Sequence, residues 1–371
     1  MRFKIKKNVF LKALLSVQGI VEKKHTLPIL ANVLIEAKSD KIIMTATDLE
    51  VGLCSNFNAE ILEEGKVTLS AKKLYEIIKE LPDSPINFSS KENFWVEIIC
   101  GKSIFNLVGL SPEEFPKFPE TGNNKALIDK TILNEMIDKT LFSISTDDTK
   151  FNLTGIHVRS ESEDDKNFLK FVSTDGHRLS LIKREQNEIE PEFFEKGFIL
   201  PRKGIIELKK NLENMKDSVQ ISISDNNFTV LDDKMTLIMR MIDGEFPDYK
   251  RVIPEIGNNS ALINRSELLE ALKRISVLSN EKSKGVKCNL KYNFLELTSS
   301  SPELGDAKEE IEIEYNGDDI SIGFNARYII DILSSIDEDN IILNLKDNIS
   351  PGRINPENDA NYLAVVMPMR L

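Results

Sequence analysis

The 371-residue chain is poor in the residues that most metal and redox sites require. It contains three cysteines, three histidines and one tryptophan. Cys54, Cys100 and Cys288 are odd in number, far apart and without Cys-x-x-Cys spacing, which argues against a disulfide framework and against a zinc site. We therefore expect no metal, no cofactor and a reducing cytoplasmic environment.

Long apolar segments are also missing. No run approaches the roughly 18 apolar residues of a membrane-spanning helix. The stretch 1–21 begins with charged residues, but Lys12 and Gln18 interrupt its apolar part and no small-residue cleavage site follows, unlike a secretory signal. We interpret it as a strand and an amphipathic helix, and we expect a cytoplasmic protein without a membrane partner.

Catalytic motifs are scarce as well. GxSxG, GxGxxG and HExxH are absent, and the only suggestive cluster is residues 173–178, Ser-Thr-Asp-Gly-His-Arg. Side chains so close along one turn do not easily adopt the geometry of a catalytic triad, in which an aspartate orients a histidine base that contacts the nucleophile. We expect no catalytic residues, and a hydrolase that uses Ser173, Asp175 and His177 is kept as an alternative.

Positive charge is in deficit, which is unusual for a nucleic-acid-binding protein. The chain has 60 acidic and 48 basic residues, a formal net charge of −12. Acidic residues gather in 161–165, 185–195 and 337–339, whereas bases lie on the polar sides of predicted helices. These bases are Lys6, Lys7, Lys12, Lys72, Lys73, Lys79, Arg202, Lys203, Lys209, Lys210, Lys273 and Arg274. If the helices share one side, an acidic protein presents a basic inner face; a basic-faced scaffold that does not encircle DNA is a second alternative.

The chain does contain a threefold repeat. One helical face with i, i+3, i+4, i+7 spacing occurs three times, and a second helix repeats in step with it. The first face consists of Phe10, Ala13, Leu14 and Val17, then Leu133, Met136, Ile137 and Thr140, then Leu268, Ala271, Leu272 and Ile275. The second consists of Leu74, Ile77 and Leu81, then Ile205, Leu208 and Leu212, then Ile329, Ile332 and Ile336. A period of about 125 residues suits a whole domain, and we predict domains at 1–124, 125–253 and 254–371.

Segments between the helices are typical of strands. Period-two alternation predicts strands at Lys41–Thr47, Gln220–Ser224, Thr229–Met241 and Glu310–Tyr315. Asp225-Asn226-Asn227 and Asn316-Gly317 predict hairpin turns. The expected fold class is α+β, with two helices packed on antiparallel sheets in each domain and more strand than helix.

Collinear motifs from the first strand to the last residue resemble one family. They are Thr26-Leu27-Pro28-Ile29-Leu30, Thr47-Asp48-Leu49-Glu50, Thr174-Asp175-Gly176-His177-Arg178-Leu179, Pro201-Arg202-Lys203-Gly204, Phe246-Pro247-Asp248-Tyr249, Leu278-Ser279-Asn280-Glu281-Lys282 and Val366-Met367-Pro368-Met369-Arg370-Leu371. Together they resemble the bacterial DNA polymerase III beta subunit, the replicative sliding clamp. The resemblance implies a non-enzymatic processivity factor, a head-to-tail homodimer whose six domains form a closed ring around duplex DNA.

Helix dimensions are compatible with such a ring. Twelve helices side by side at about 9–10 Å give a circumference of about 115 Å and a free hole of about 25 Å. A duplex with a layer of water fits that hole. We therefore expect weak, sequence-independent attraction to phosphates, which permits sliding.

The resemblance also implies a hydrophobic cleft between the second and third domains. Short peptides of the replicative polymerase subunit, the clamp loader and repair polymerases would bind there, with leucines and methionines as an adaptable pocket and His177 and the arginines at a polar rim. The implied wall is Leu153, Thr174, Gly176, His177, Arg178, Leu179, Pro247, Arg251, Val252, Ile349, Val365, Met367, Pro368, Met369, Arg370 and Leu371. The alternative for Val365–Leu371 is a last strand that only completes a sheet.

Two further surfaces are implied by the same family pattern. The residues that match DNA-facing positions are Lys24, Lys150, Phe151, Arg202 and Lys203. At the subunit contact, Phe105 matches an aromatic residue that packs near Val277 and Leu278 of the opposite subunit. Ordinary core packing is the alternative for Phe105.

Overall fold

Two compact units make up the computed structural model, which describes residues 1–21, 27–122, 125–186, 189, 194–281 and 283–370. Unit 1 comprises Met1–Leu133 with Lys203–Met241, and unit 2 comprises Asn134–Arg202 with Ile242–Leu371. In each unit, all the described strand pairs are antiparallel. The mixture of helices and antiparallel sheets confirms the expected α+β fold class.

The described residues form six α-helices, and the repeat predicted each of them. They are Lys7–Val17 (α1), Ala71–Glu80 (α2), Lys130–Leu141 (α3), Arg202–Leu212 (α4), Arg265–Ser276 (α5) and Ala326–Ser334 (α6). Every residue of the first predicted face is buried. Thr140 is tolerated there because its hydroxyl donates to the Met136 carbonyl at 2.6 Å. Asn264 and Asn325 end strands and cap α5 and α6 by accepting a backbone N–H, which satisfies a donor that the helix leaves unpaired.

Unit 1 contains two sheets. The five-stranded sheet consists, in spatial order, of Glu60–Glu63 (β5), Arg2–Ile5 (β1), Ile86–Ser90 (β7), Trp95–Cys100 (β8) and Ser103–Val108 (β9). The eight-stranded sheet consists of Lys125–Asp129 (β10), Ser218–Ser224 (β15), Asn227–Leu231 (β16), Met235–Arg240 (β17), Val51–Asn58 (β4), Lys41–Thr47 (β3), Asn32–Lys38 (β2) and Gly65–Ser70 (β6).

Unit 2 repeats the eight-stranded plan. Its large sheet consists of Phe198–Pro201 (β14), Gly155–Glu163 (β11), Lys166–Thr174 (β12), Arg178–Glu185 (β13), Tyr362–Val366 (β25), Gly352–Pro356 (β24), Asn340–Asn344 (β23) and Ser260–Asn264 (β18). Its four-stranded sheet consists of Gly305–Glu312 (β21), Phe294–Ser301 (β20), Gly285–Lys291 (β19) and Ile320–Asn325 (β22). The β17–β4 pair in unit 1 corresponds to the β13–β25 pair in unit 2, because each joins strands distant in sequence.

Two local predictions are wrong. The segment Thr229–Met241 forms parts of two strands, β16 and β17, because the Asp232 carboxylate accepts the N–H groups of Lys234 and Met235 at 2.8 Å and closes a turn. Asn316-Gly317 joins no hairpin, since β21 and β22 lie at opposite edges of their sheet. The other predicted turn is confirmed, with Asp225 at φ +51° between β15 and β16. No helix in the described part of the chain is long and apolar enough to cross a membrane.

Candidate functional site

The motif Thr174-Asp175-Gly176-His177 forms a tight turn between β12 and β13. The Thr174 hydroxyl accepts the Gly176 N–H at 3.1 Å and donates to the Arg178 carbonyl at 2.6 Å. The Asp175 carboxylate accepts the N–H groups of His177 and Arg178 at 2.8 and 3.0 Å. Gly176 has φ +90°, a conformation that favours glycine. These bonds hold the tip of the turn in one conformation.

Arg178 lies beneath this turn rather than at its rim. Its side chain is 10% exposed, and it donates to Asp175 at 3.1 Å, to Asp331 at 2.6 Å and to the Phe142 carbonyl at 2.5 Å. The guanidinium also lies 4.6 Å from the ring centre of Tyr328, within cation–π range. The expectation that the arginines line a polar rim is therefore wrong for Arg178, because its donors are already used to hold the turn. The sequence reasoning missed Tyr328 and Asp331, which have no motif of their own on α6.

Leu179 and Val365 form the floor of the site. They are paired in register across β13 and β25, and both are buried. The apolar cluster that contains them comprises Val172, Leu179, Leu181, Tyr249 and Val365, with Phe246, Ile253 and Leu363 packed against it. We name these eight residues the cleft floor. Its five buried residues support the surface, and Phe246, Ile253 and Leu363 are partly exposed.

Accessible apolar groups come from separate loops. Ile349 is 77% exposed on a turn in which the Asp347 carboxylate accepts the Ile349 and Ser350 N–H groups at 2.9 and 2.6 Å. Val252 and Met367 are exposed. Leu153, Pro368 and Met369 are half-buried, and Gly176, His177, Pro247, Arg251 and Arg370 are exposed. Leu371 lies outside the described residues.

The C-terminal segment continues past β25 alongside the turn. Met367 N–H donates to the His177 carbonyl at 2.9 Å, and Met369 N–H donates to the Gly323 carbonyl at 2.8 Å. The segment therefore does more than complete a sheet, since two backbone bonds beyond the strand hold it in place. The His177 ring stacks on Tyr328, with ring centres 6.3 Å apart.

The residues predicted to face DNA occupy different settings. Lys24 lies outside the described residues. Lys150 is exposed and donates to the Asp175 carbonyl at 3.3 Å, so it lies beside the turn of the cleft. The exposed ring of Phe151 lies close to Gly244. Arg202 is exposed at the start of α4, and its N–H donates to the Thr154 carbonyl at 3.1 Å.

Lys203 has a structural role. Its ammonium binds the carboxylate of Asp48, a side chain that is 1% exposed, and donates to the Ile20 carbonyl at 3.3 Å. A buried carboxylate is costly unless a cation neutralises it. The ammonium of Lys203, a residue predicted to face DNA, is therefore already engaged within unit 1, and the side chain is 32% exposed.

The basic helix faces are partly neutralised. Lys73 and Lys273 pair with Glu76 and Glu270 three residues away, at 2.9 and 2.8 Å. The hydrogen bond from Lys273 lowers the pKa of Glu270. Exposed pairs of this kind contribute little to stability, because solvent screens them. The basic side chains still face solvent, but carboxylates on the same helices offset part of their positive charge.

The predicted subunit contact falls on an exposed sheet edge in unit 1 and on the end of a helix in unit 2. Phe105 is 37% exposed on β9, an edge strand that also exposes Ile104 and Val108. Core packing of Phe105 is thus not observed within unit 1. In unit 2, Val277 is 71% exposed at the end of α5, and Leu278 is half-buried. An edge strand presents unpaired N–H and C=O groups, so apolar side chains there favour pairing with another chain.

The Ser/Asp/His cluster does not have the geometry of a triad. Ser173 is fully buried, and its hydroxyl donates to the Thr140 carbonyl at 2.6 Å. Asp175 binds backbone N–H groups and Arg178. The nucleophile would therefore be inaccessible and its orienting carboxylate is committed to the turn.

Comparison with known families covers nearly the whole chain. Models of the DNA polymerase III beta subunit match it in three parts: the N-terminal domain at residues 1–119, the central domain at 127–248 and the C-terminal domain at 250–370.

Curated relatives and solved structures agree with this match. The beta sliding clamps of Vibrio cholerae and Caulobacter vibrioides are 33% and 35% identical to this chain, over 100% of both chains in each case. Crystal structures of the sliding clamps of Pseudomonas aeruginosa and Bartonella birtlesii, both bound to griselimycin, superpose with TM-scores of 0.93 and 0.94 at 34% and 33% identity, again over 100% of both chains.

Proposed function

Since the chain belongs to the DNA polymerase III beta subunit family, the bacterial sliding clamps, we propose that it acts as a head-to-tail homodimeric ring around duplex DNA. A sliding clamp is a non-catalytic processivity factor, and the replicative polymerase is its general partner. We propose three domains at 1–124, 125–253 and 254–371, action at the nucleoid, and capture of the clamp loader and repair polymerases through short peptides.

The observation that carries peptide capture is the anchored junction of β13 and β25. There the turn 174–178, the cleft floor and the segment Met367–Arg370 are held together by backbone bonds and buried side chains. Accessible Val252, Ile349 and Met367 provide apolar surface for a leucine or aromatic anchor. Because Arg178 is saturated with partners, its proposed role is to hold the turn. The exposed side chains of His177 and Arg251 are proposed to contact peptide at the rim.

Replacement of His177 with alanine tests the cleft against the hydrolase alternative. The variant should still dimerise and should bind a fluorescent peptide from the polymerase subunit about tenfold more weakly, through loss of one rim contact worth about 1.4 kcal/mol. Lys234→Ala, an exposed change in unit 1, is the control. Any turnover that disappears with His177 would contradict a non-catalytic clamp.

The subunit contact is proposed to join β9 of one subunit with β21 of the other. Each is an edge strand with an unpaired side in the described structure, and Phe105, Val277 and Leu278 provide apolar surface beside these edges. Val277→Asp with Leu278→Asp should bury charge without a partner and yield monomers. Light scattering at low micromolar concentration measures this, with Tyr292→Asp as an exposed control; a dimer of unchanged mass would contradict the placement of the contact.

DNA enclosure is tested by topology. The protein is loaded onto nicked circular duplex with its cognate loader, free protein is removed at high salt, and half of the sample is linearised. Retention on circles with loss from linear DNA is the expected result, since a ring can slide off an end. Equal retention on both forms, falling steeply with salt, would indicate electrostatic adhesion by a scaffold. The residues proposed to face the DNA path are Lys24, Lys150, Phe151, Arg202 and Lys203.

A further inference from the structure

A pocket in unit 2 is bordered by the segment 244–250. It has a volume of about 360 Å³ and is lined by β11, residues 196–199 and residues 244–250. Its polar lining includes His157, Arg159, Lys196 and Lys250, and Phe246 contributes an aromatic wall on which the His157 ring stacks at 4.9 Å. A cavity of this size is in the range of ordinary ligand sites.

The pocket concentrates cations on an acidic protein. Arg159, Lys196 and Lys250 are exposed, and none of them has an ion-pair partner among the residues that the structure describes. Two carboxylates, Glu245 and Asp248, also line the pocket. Asp248 is engaged by Arg251 at 2.8 Å. The lining therefore has an excess of positive charge, although the net charge of the whole chain is −12.

The surroundings of the pocket disfavour further positive charge. Burial, followed by the charges of Arg159 and Lys170, lowers the pKa of His157 to about 4. Burial, followed by the charges of Lys183, Lys250 and Arg159, lowers the pKa of Lys170 to about 8. Arg159 on β11 also lies directly opposite Lys170 on β12, whose ammonium is ion-paired with Glu161. The groups that would attract an anion are therefore the exposed cations of the lining, Arg159, Lys196 and Lys250.

The pocket and the proposed cleft share one wall. Pro247 lines the pocket and belongs to the predicted cleft, and Phe246 and Tyr249 line the pocket while packing into the cleft floor. Because a bound peptide is longer than its apolar anchor, a chain that leaves the cleft across Pro247 arrives at Arg159, Lys196 and Lys250. We infer that this pocket is an anion-accepting subsite for acidic side chains that flank the anchor of a partner peptide. The inference rests on the proposed function and adds a specificity determinant to the same site.

Matched peptides test this inference on the full-length dimer. One fluorescent peptide carries the apolar anchor alone, and others carry three glutamates or three glutamines added at either end. Glutamates on the flank that reaches the pocket should tighten binding about three- to tenfold over glutamines at about 50 mM salt. The difference should nearly disappear at about 500 mM salt, because screening shortens the range of exposed charges.

Variants assign the effect to the pocket. Arg159→Ala with Lys250→Ala should abolish the advantage of glutamate and leave the affinity of the anchor-only peptide unchanged. Lys216→Ala with Lys234→Ala, which removes two exposed lysines of unit 1, should preserve the advantage. Equal affinity of glutamate and glutamine peptides at both ends, or an advantage that survives the Arg159/Lys250 change, would overturn the inference. Failure of the anchor-only peptide to bind would instead overturn the proposed cleft, on which the inference depends.

Discussion

Two turns of the molecule, Thr47–Gly52 in unit 1 and Thr174–Leu179 in unit 2, have the same hydrogen-bonding plan. In each, the threonine hydroxyl accepts the N–H two residues later, at 3.0 Å from Leu49 and 3.1 Å from Gly176. In each, the aspartate carboxylate accepts the N–H groups two and three residues later in the chain. The neighbouring segment also binds each turn in the same way. The Arg240 N–H donates to the Glu50 carbonyl in unit 1, and the Met367 N–H donates to the His177 carbonyl in unit 2.

The side chains on these equal backbones differ. Position 49 is leucine with φ +76°, where the second turn has Gly176 with φ +90°. Gly52 takes the place of Leu179, and a Cβ on Gly52 would approach the Phe118 ring to 2.9 Å. An aromatic ring therefore closes over the first turn, whereas the second turn rests on the cleft floor. The two copies share a backbone plan, and their side-chain differences place the proposed cleft at the second copy.

The aspartates also differ in their partners. Asp48 is almost fully buried and depends on Lys203 from α4. Asp175 is more exposed and pairs with Arg178, which is held in turn by Asp331. The first turn is therefore expected to matter most for stability and the second for recognition.

The largest expected difference comes from removal of these carboxylates. Asp48→Ala removes the buried carboxylate that Lys203 binds and leaves two backbone N–H groups unsatisfied, at a cost of about 2–4 kcal/mol in the free energy of unfolding. Asp175→Ala should cost only about 1–2 kcal/mol, since Arg178 keeps Asp331, but it should weaken peptide binding. Urea melts and peptide anisotropy measure the two effects; equal destabilisation by both changes would break the proposed division of roles.

A pH dependence should distinguish the two copies. Leu34 occupies the position in unit 1 that corresponds to His157 in unit 2. Leu34 packs against the cluster of Ile29, Leu30 and Phe115, whereas His157 stacks on Phe246. The folded-state pKa of His157 is about 4, against an ordinary 6.5, so the unfolded chain binds the proton more readily. The stability that the neutral His157 ring provides is fully present above pH 6.5 and is lost as the pH falls towards 4. The total loss is about 3 kcal/mol in the free energy of unfolding.

His157→Leu, which copies the first repeat, should remove that slope. Relative to wild type, the variant should gain about 3 kcal/mol of stability between pH 7 and pH 4. Urea melts across this pH range measure the difference between the two proteins. The stability lost when carboxylates become protonated is the same in both, because both contain the same carboxylates, and it cancels in the comparison. Parallel pH profiles would show that His157 does not titrate differently on unfolding.

The smallest effect is expected from exchanging the residues with positive φ. Leu49→Gly relieves a strained leucine and should stabilise by up to about 1 kcal/mol, while Gly176→Leu should destabilise by about 1–2 kcal/mol. Only the Gly176 change should reduce peptide affinity, because that turn lies at the cleft. Thermal melts with peptide titrations measure this; loss of peptide affinity in Leu49→Gly would mean that the first turn is also a recognition surface.

Several features were predictable because they depend on near neighbours in the chain. The buried face of Phe10, Ala13, Leu14 and Val17 follows from helical spacing alone, and the two later copies obey the same rule. The failures occurred where a few polar residues decide the backbone. Asp232 ends β16 inside an apolar run, and Asn316-Gly317 has hairpin composition but leads to a strand at the other edge of the sheet.

Sequence patterns were sufficient to predict the number of repeats, the helices and their buried faces, and the collinear motifs indicated the family. Which charges remain available could be read only from the folded chain. Lys203 is committed to Asp48, Arg178 is committed to Asp331, and Arg159, Lys196 and Lys250 gather around one pocket. Periodicity is a property of residues a few positions apart, whereas ion pairing and burial depend on distances in space between residues far apart in the chain.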